Sequence, residues 1–242
     1  MESSAIRRSR QGPQPGPRGL LSRLPVAAAV LGLSLGGLLI YQGLDAPTPP
    51  PQPTAAQGFS ALDGMPAAGH HPSATPKGPA PLAPATPVRV RIPAIDVDAP
   101  LTALALESNG HLAAPPDSDR NLAGWYHDGT PPGAVGTAII AGHVDTHAGR
   151  AVFYNLGSLK KNMTVDVDLA DRITAVFTID AVEAYDDNGF PSQKVYGNAN
   201  RPELRLITCG AGFSKARQEY LGNVVVFAHL TGSRPTPAAT RH

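Results

Sequence analysis

The sequence predicts a mainly-β domain, a closed or nearly closed antiparallel-rich barrel with short helical turns. Three observations predict it. From Pro87 onward short alternating or β-branched apolar segments recur, turn residues separate them, and no strand–helix–strand rhythm joins them.

The first segment, Val88-Arg89-Val90-Arg91-Ile92, has the period of two that puts one face in a core, and Pro93 ends it. Thr137-Ala138-Ile139-Ile140-Ala141 is a short apolar run preceded by the turn signal Pro131-Pro132-Gly133. After Ala148-Gly149-Arg150, another turn signal, Ala151 to Lys160 reads as a short helical turn. Thr164 to Leu169 alternates again, and Ile173 to Tyr185 is rich in β-branched residues. Asp186-Asp187-Asn188-Gly189 breaks the pattern, and a second helical turn is expected near Pro191 to Tyr196. Glu203 to Cys209 and Asn223 to Ala228 complete the set of strands. The domain so defined, 87–231, is large enough for one sizeable core.

Residues 1–23 are basic, with Arg7, Arg8, Arg10, Arg18 and Arg23. Within 24–42, the run Leu24 to Tyr41 carries no charge. As a helix it would span about 27 Å, close to a hydrocarbon core of about 30 Å. The arginines predict a cytoplasmic N-terminus, a single membrane anchor and a domain outside the cell. A cleaved signal peptide is the alternative. Its apolar core is usually shorter, and Gln42 to Ala46 makes a poor cleavage site, so an uncleaved anchor is expected.

Residues 43–86 are rich in Pro, Ala, Gly, Ser and Thr, a composition that buries too little apolar surface to offset its ordering entropy. This spacer is expected to be disordered and to add nothing to the core; His70-His71 inside it reads as solvated. The segment 232–242 repeats the composition and is expected to be a flexible tail. A net charge of +1 offers no basis for a nucleic-acid partner.

Cys209 is the only cysteine. It ends a segment that alternates over Glu203 to Ile207, and Gly210-Ala211-Gly212 follows, so the thiol is expected at a strand end where the backbone turns away. Free cysteine is often mere core filler. In an exported domain, however, a single thiol has no disulfide partner and points to a reactive group. His143 follows the Thr137 to Ala141 strand and a glycine, so it has the same placement logic. An ordinary thiol, with pKa about 8.5, gains from a nearby imidazole or cation. His143-x-Asp145-x-His147 also has the alternation of a metal cluster, but only His127 and His111 are near enough in sequence to extend it. No metal is expected. Of the residues after Cys209, Arg217 is the expected oxyanion partner, because a guanidinium fork fits an oxyanion better than a lysine does. Tyr220 and Asn223 are alternative donors.

Leu206-Ile207-Thr208-Cys209 closely resembles the T-L-x-T-C strand of sortases, and Ala141-Gly142-His143 resembles their catalytic histidine segment. Anchor, proline-rich spacer and C-terminal β-domain together look like a class E/F-type sortase of an actinobacterium. The resemblance implies an eight-stranded sortase barrel and a cysteine transpeptidase that needs no cofactor. It would cleave a sorting motif in a secreted protein and pass the acyl group to a cell-wall amine. Cys209 would be the nucleophile, His143 the general acid/base and an arginine after Cys209 the oxyanion stabiliser, with Thr208 helping to hold substrate. In many sortases that arginine opens the last strand, where this chain has Leu221-Gly222-Asn223. Two other classes stand beside this reading. An L,D-transpeptidase would carry glycine, not Thr208, before the cysteine, and a non-catalytic surface-display module would need no thiol.

Overall fold

The computed structural model describes residues 48–60, 78–217 and 219–237. Eight strands close into one barrel: β1 (Pro87–Ile92), β2 (Val97–Leu104), β3 (Ala123–Tyr126), β4 (Gly136–Gly142), β7 (Thr164–Leu169), β8 (Ile173–Asp186), β9 (Pro202–Ser214) and β10 (Glu219–Pro235). Around the barrel the order is β1-β2-β3-β4-β9-β10-β8-β7, and β7 returns to β1. Two very short strands, β5 (Asp145–Thr146) and β6 (Gly149–Arg150), form a separate hairpin. The expected helical turns reduce to a 3-10 turn at Leu156–Ser158 and one short helix, α1 (Ser192–Tyr196).

Alternation decides which side chains enter the barrel. Val90 and Ile92, Val165 and Val167, Leu204 and Leu206, and Val224 and Val226 line its interior. Phe153, Leu156 and Leu159, from the loop between β6 and β7, belong to the same core and are completely buried. Ile207, Val225 and Phe227 face the other way and form a second cluster with Ala181 and with Val195 of α1. Asp166 and Asp168 are buried although charged, because Arg234 and Arg91 pair with them.

Most pairings are antiparallel, as expected, but β2–β3 and β4–β9 are parallel. The β4–β9 pair has a constant register, from Gly136↔Pro202 to Ala141↔Ile207.

Two parts of the tract read as spacer differ from that expectation. Leu82 and Ala85 pack against the core, and the Leu82 N–H donates to the Gly133 carbonyl at 2.8 Å. Residues 50–60 lie on the barrel as a strap. Pro51 passes so close to Gly157 that a Cβ there would stand 2.1 Å from the Pro51 oxygen. The buried Gln57 amide donates to the carbonyls of Gly157 and Leu159. Phe59 meets Phe227 edge to face at 5.2 Å, and Lys194 sits over the Phe59 ring. Composition misjudged this stretch because a few side chains, not its average hydrophobicity, anchor it. The expected anchor (24–42) and His70-His71 lie outside the described residues. Among those described, no helix is long and apolar enough to cross a membrane.

The tail differs as well. β10 continues through Pro235, and Ser233 to Pro235 pair with Ala175 to Ile173, since β8 is long enough to offer them a partner.

Glu183 ties the strap down. It accepts from the Phe59 N–H at 2.9 Å and also binds Lys194 and the Tyr185 hydroxyl. Burial pushes its carboxyl up, but Lys194, Tyr185 and the Phe59 N–H outweigh burial and hold it below its ordinary value. This tie is therefore present above the usual carboxylate range and is lost as pH falls through the lowered folded value. The Tm difference between wild type and Glu183→Gln should shrink as pH falls through that window. Gln57→Ala should cost about 1–3 kcal/mol in urea denaturation, as expected when buried hydrogen bonds are left unmade.

Candidate active site

The parallel register of β4 and β9 carries the site. Ala141 is opposite Ile207, the last pair of the ladder, and His143 and Cys209 each follow two residues further along their own segments. Ile139 packs with the Ile207 cluster outside the barrel, while Ile140 and Leu206 point inward. Alternation therefore puts His143 and Cys209 on the same outer side.

Local packing explains the glycines beside both residues. A Cβ on Gly142 would stand 2.7 Å from Phe153 and Val152, so the glycine before His143 makes room for the loop that fills the barrel end. The Phe153 N–H donates to the His143 carbonyl at 3.0 Å, which fixes the backbone there. Gly210 and Gly222 are opposite each other, and a Cβ on Gly222 would fall 1.9 Å from the Tyr185 oxygen.

Cys209 does not end its strand. β9 runs on to Ser214, paired with β10. The predicted turn is instead a bulge, in which Ala211 (φ 54°) and Gly212 (φ 94°) lie opposite the single residue Leu221. The long hairpin supplies β10 as a partner, so the strand bends after the cysteine without stopping. The thiol is exposed.

His143 is one-fifth exposed. Its Nε2 lies 2.7 Å from the Pro115 carbonyl oxygen and 2.9 Å from Asp117 Oδ1. Both partners are acceptors, so Nε2 carries a proton and Nδ1 is the nitrogen left for exchange. Sequence reasoning missed Asp117: it lies in an irregular loop with no spacing signal that links it to His143.

The carboxylates of Asp187 and Asp145 lie close enough to act on Cys209. Although Cys209 is exposed as a residue, the protein packed around it partly desolvates the thiol and is the first cause that raises its pKa, and the two carboxylates push it further up. Asn223 is directly opposite Cys209 on β10, and its amide donates to Asp187 Oδ1 at 3.3 Å. Tyr220 donates to Asp145 Oδ2 at 2.5 Å.

Arg217 lies at the hairpin tip, 64% exposed, with its Nε 2.7 Å from Glu219 Oε1. Thr208 points into the barrel, opposite to Cys209, and its buried hydroxyl has no hydrogen-bond partner among the described residues. That orientation puts it beneath the thiol and away from the outer surface. His147 is exposed at the β5–β6 turn. Among the described residues no three metal-ligating side chains gather.

A family model described as the sortase domain matches residues 90–231. Among solved structures, sortase A from Listeria monocytogenes is 16% identical, with 64% of this chain and 92% of that one covered and a TM-score of 0.46. For sortase A from Corynebacterium diphtheriae the identity is 18%, the coverage 64% and 65%, and the TM-score 0.45. For sortase C from Streptococcus pneumoniae they are 18%, 63% and 69%, and 0.47. No curated protein matches the chain.

With its pKa raised, Cys209 should ionise only at a more alkaline pH than an ordinary thiol. The rate of iodoacetamide alkylation, followed against pH, should have its midpoint above about 8.5. Asp187→Asn should bring that midpoint down.

Proposed function

The chain belongs to the sortase family, whose members are cysteine transpeptidases, and on that premise we propose a membrane-anchored, extracytoplasmic enzyme of the class E/F type. It cleaves a sorting motif in secreted proteins and transfers the acyl group to a cell-wall amine. The run Leu24 to Tyr41 with its preceding arginines supports the anchor and the orientation.

One observation supports the mechanism: His143 and Cys209 each follow the last pair of the β4–β9 ladder, Ala141↔Ile207, by two residues. In the proposed cycle the Cys209 thiol gives its proton to His143 Nδ1 as its sulfur attacks the scissile carbonyl. The tetrahedral intermediate collapses when the imidazolium protonates the departing amine, leaving a thioester on Cys209. The acceptor amine then attacks that thioester, His143 takes its proton, and the thiol is regenerated. Asp117 and the Pro115 carbonyl hold the ring in one orientation throughout. A general base matters here because burial, and then the Asp187 and Asp145 carboxylates, raise the thiol above its ordinary pKa.

For the oxyanion we propose the Asn223 amide, supported by its cross-strand position beside Cys209 and by the pairing of Arg217 with Glu219. An oxyanion donor contributes about 10²–10³-fold to the chemical step, so Asn223→Ala should lose that much. Arg217→Ala should stay within a factor of a few. The reverse order would return the role to Arg217.

The test is acyl-enzyme formation with a panel of L-P-x-T-G- and L-A-x-T-G-like peptides, read by mass spectrometry. Cys209→Ala should form no adduct, and His143→Ala should be slower by about 10²–10⁴-fold. An adduct on Cys209→Ala would overturn the assignment.

A further inference from the structure

The β4–β9 ladder ends at Ala141↔Ile207, before it reaches either His143 or Cys209. Beyond that point the two residues belong to different substructures. Cys209 rides on the β9–β10 hairpin. His143 leads into the β5–β6 hairpin, which the Ala151 and Phe153 N–H groups join to the loop filling the barrel end. Thiol and imidazole must meet within hydrogen-bond reach, so something beyond the ladder has to hold these two pieces together.

Asp145 and Tyr220 stand at that junction. Asp145 opens β5, two residues after His143, and Tyr220 lies on β10, opposite Phe213 and just beyond the bulge that follows Cys209. The Tyr220 hydroxyl donates to Asp145 Oδ2 at 2.5 Å, a direct tie from the histidine segment to the cysteine hairpin. The Phe213 ring meets the Tyr220 ring edge to face at 5.1 Å and limits its swing. Burial and the Asp145 carboxylate both push the phenol pKa up, so Tyr220 remains a donor at any working pH.

We propose that Asp145 and Tyr220 form a clasp that positions His143 against Cys209. This rests on the Cys209–His143 reading given above and adds two positioning residues to it. It also assigns the Asp145 of the His143-x-Asp145-x-His147 motif a role other than metal binding. The clasp has a second consequence. The Asp145 charge acts on the thiol, and the Tyr220 O–H directed at that carboxylate partly neutralises it.

The clasp therefore predicts opposite effects on the thiol from its two halves. In the full chain, Tyr220→Phe uncovers the carboxylate and should move the midpoint of Cys209 alkylation to higher pH. Asp145→Asn removes the charge and should move it to lower pH, while its amide oxygen still accepts from Tyr220. Acyl-enzyme formation from an L-P-x-T-G-type peptide should fall by about 10- to 100-fold in Tyr220→Phe and in Asp145→Ala, the loss expected of a misplaced catalytic pair. The double variant Asp145→Ala/Tyr220→Phe should lose no more than either single one. Asp145→Asn should recover most of the rate, and KM should change little throughout.

Midpoints that stay put or move in the same direction would overturn the clasp, as would multiplying losses in the double variant. Absence of any adduct on wild-type Cys209 would overturn the functional reading instead. Alkylation needs no turnover, so that arm still decides the clasp.

Discussion

The parallel pairing of β4 with β9 is the constraint on which this molecule depends. Parallel strands cannot be joined by a tight hairpin, so the chain must leave the end of β4, build the β5–β6 hairpin, the loop that fills the barrel end, β7, β8 and α1, and only then return. That excursion gives the core Phe153, Leu156 and Leu159 and supplies the strands that close the barrel. It also sets the end of β4, which leads into His143, beside the part of β9 that leads to Cys209. A slip of one residue in this pairing would turn every side chain of one strand to the other face. The inward packing of Ile140 and Leu206 opposes such a slip, so the same core contacts that stabilise the barrel also fix the register of the strands that lead to His143 and Cys209.

Glycine has a different task at each place near the site. Gly142 yields space to Phe153 and Val152, and Gly222 lets the Tyr185 carbonyl approach. Gly212 takes a left-handed conformation in the bulge, where Ala211 does so as well. Such a backbone conformation is unfavourable for alanine, and it persists where the surrounding pairing dictates it. Beyond the bulge the hairpin carries Phe213 and Tyr220, which return toward Asp145. Bending the strand after the cysteine thus does more than expose the thiol, since it brings part of β10 over the histidine segment.

The electrostatics around the thiol have a definite sign. Asp145 and Asp187 both disfavour the thiolate, and the donors facing these acids, Tyr220 and Asn223, are neutral. In the proposed cycle such a thiol gives up its proton to His143 as it attacks. On the far side of β10 from β9, Glu183 gathers the strap, α1 and Tyr185 around one carboxylate. Through Glu183 the strap shares its anchorage with the outer apolar cluster, which runs along the same face as Cys209.

Read alone, the sequence determined the mainly-β barrel, the inward-facing residues of the clearly alternating segments, and the candidates Cys209 and His143. These follow from local physics: a period of two, turn residues, and the chemistry of a lone thiol and an imidazole after strands. Asn223 was legible only as an alternative donor, because nothing local says that it lies opposite Cys209. Tertiary structure alone decided the parallel register, the tie between Tyr220 and Asp145, the approach of Asp117 to His143, the inward turn of Thr208 and the pairing of Arg217 with Glu219. It alone seated residues 50–60 on the barrel, through Gln57 and Phe59, in a tract whose average composition favours disorder. All of these are contacts between segments distant in sequence, and local propensity contains no information about which distant segment arrives. Register, bulge and burial are properties of the closed sheet, so they exist only once the barrel has formed.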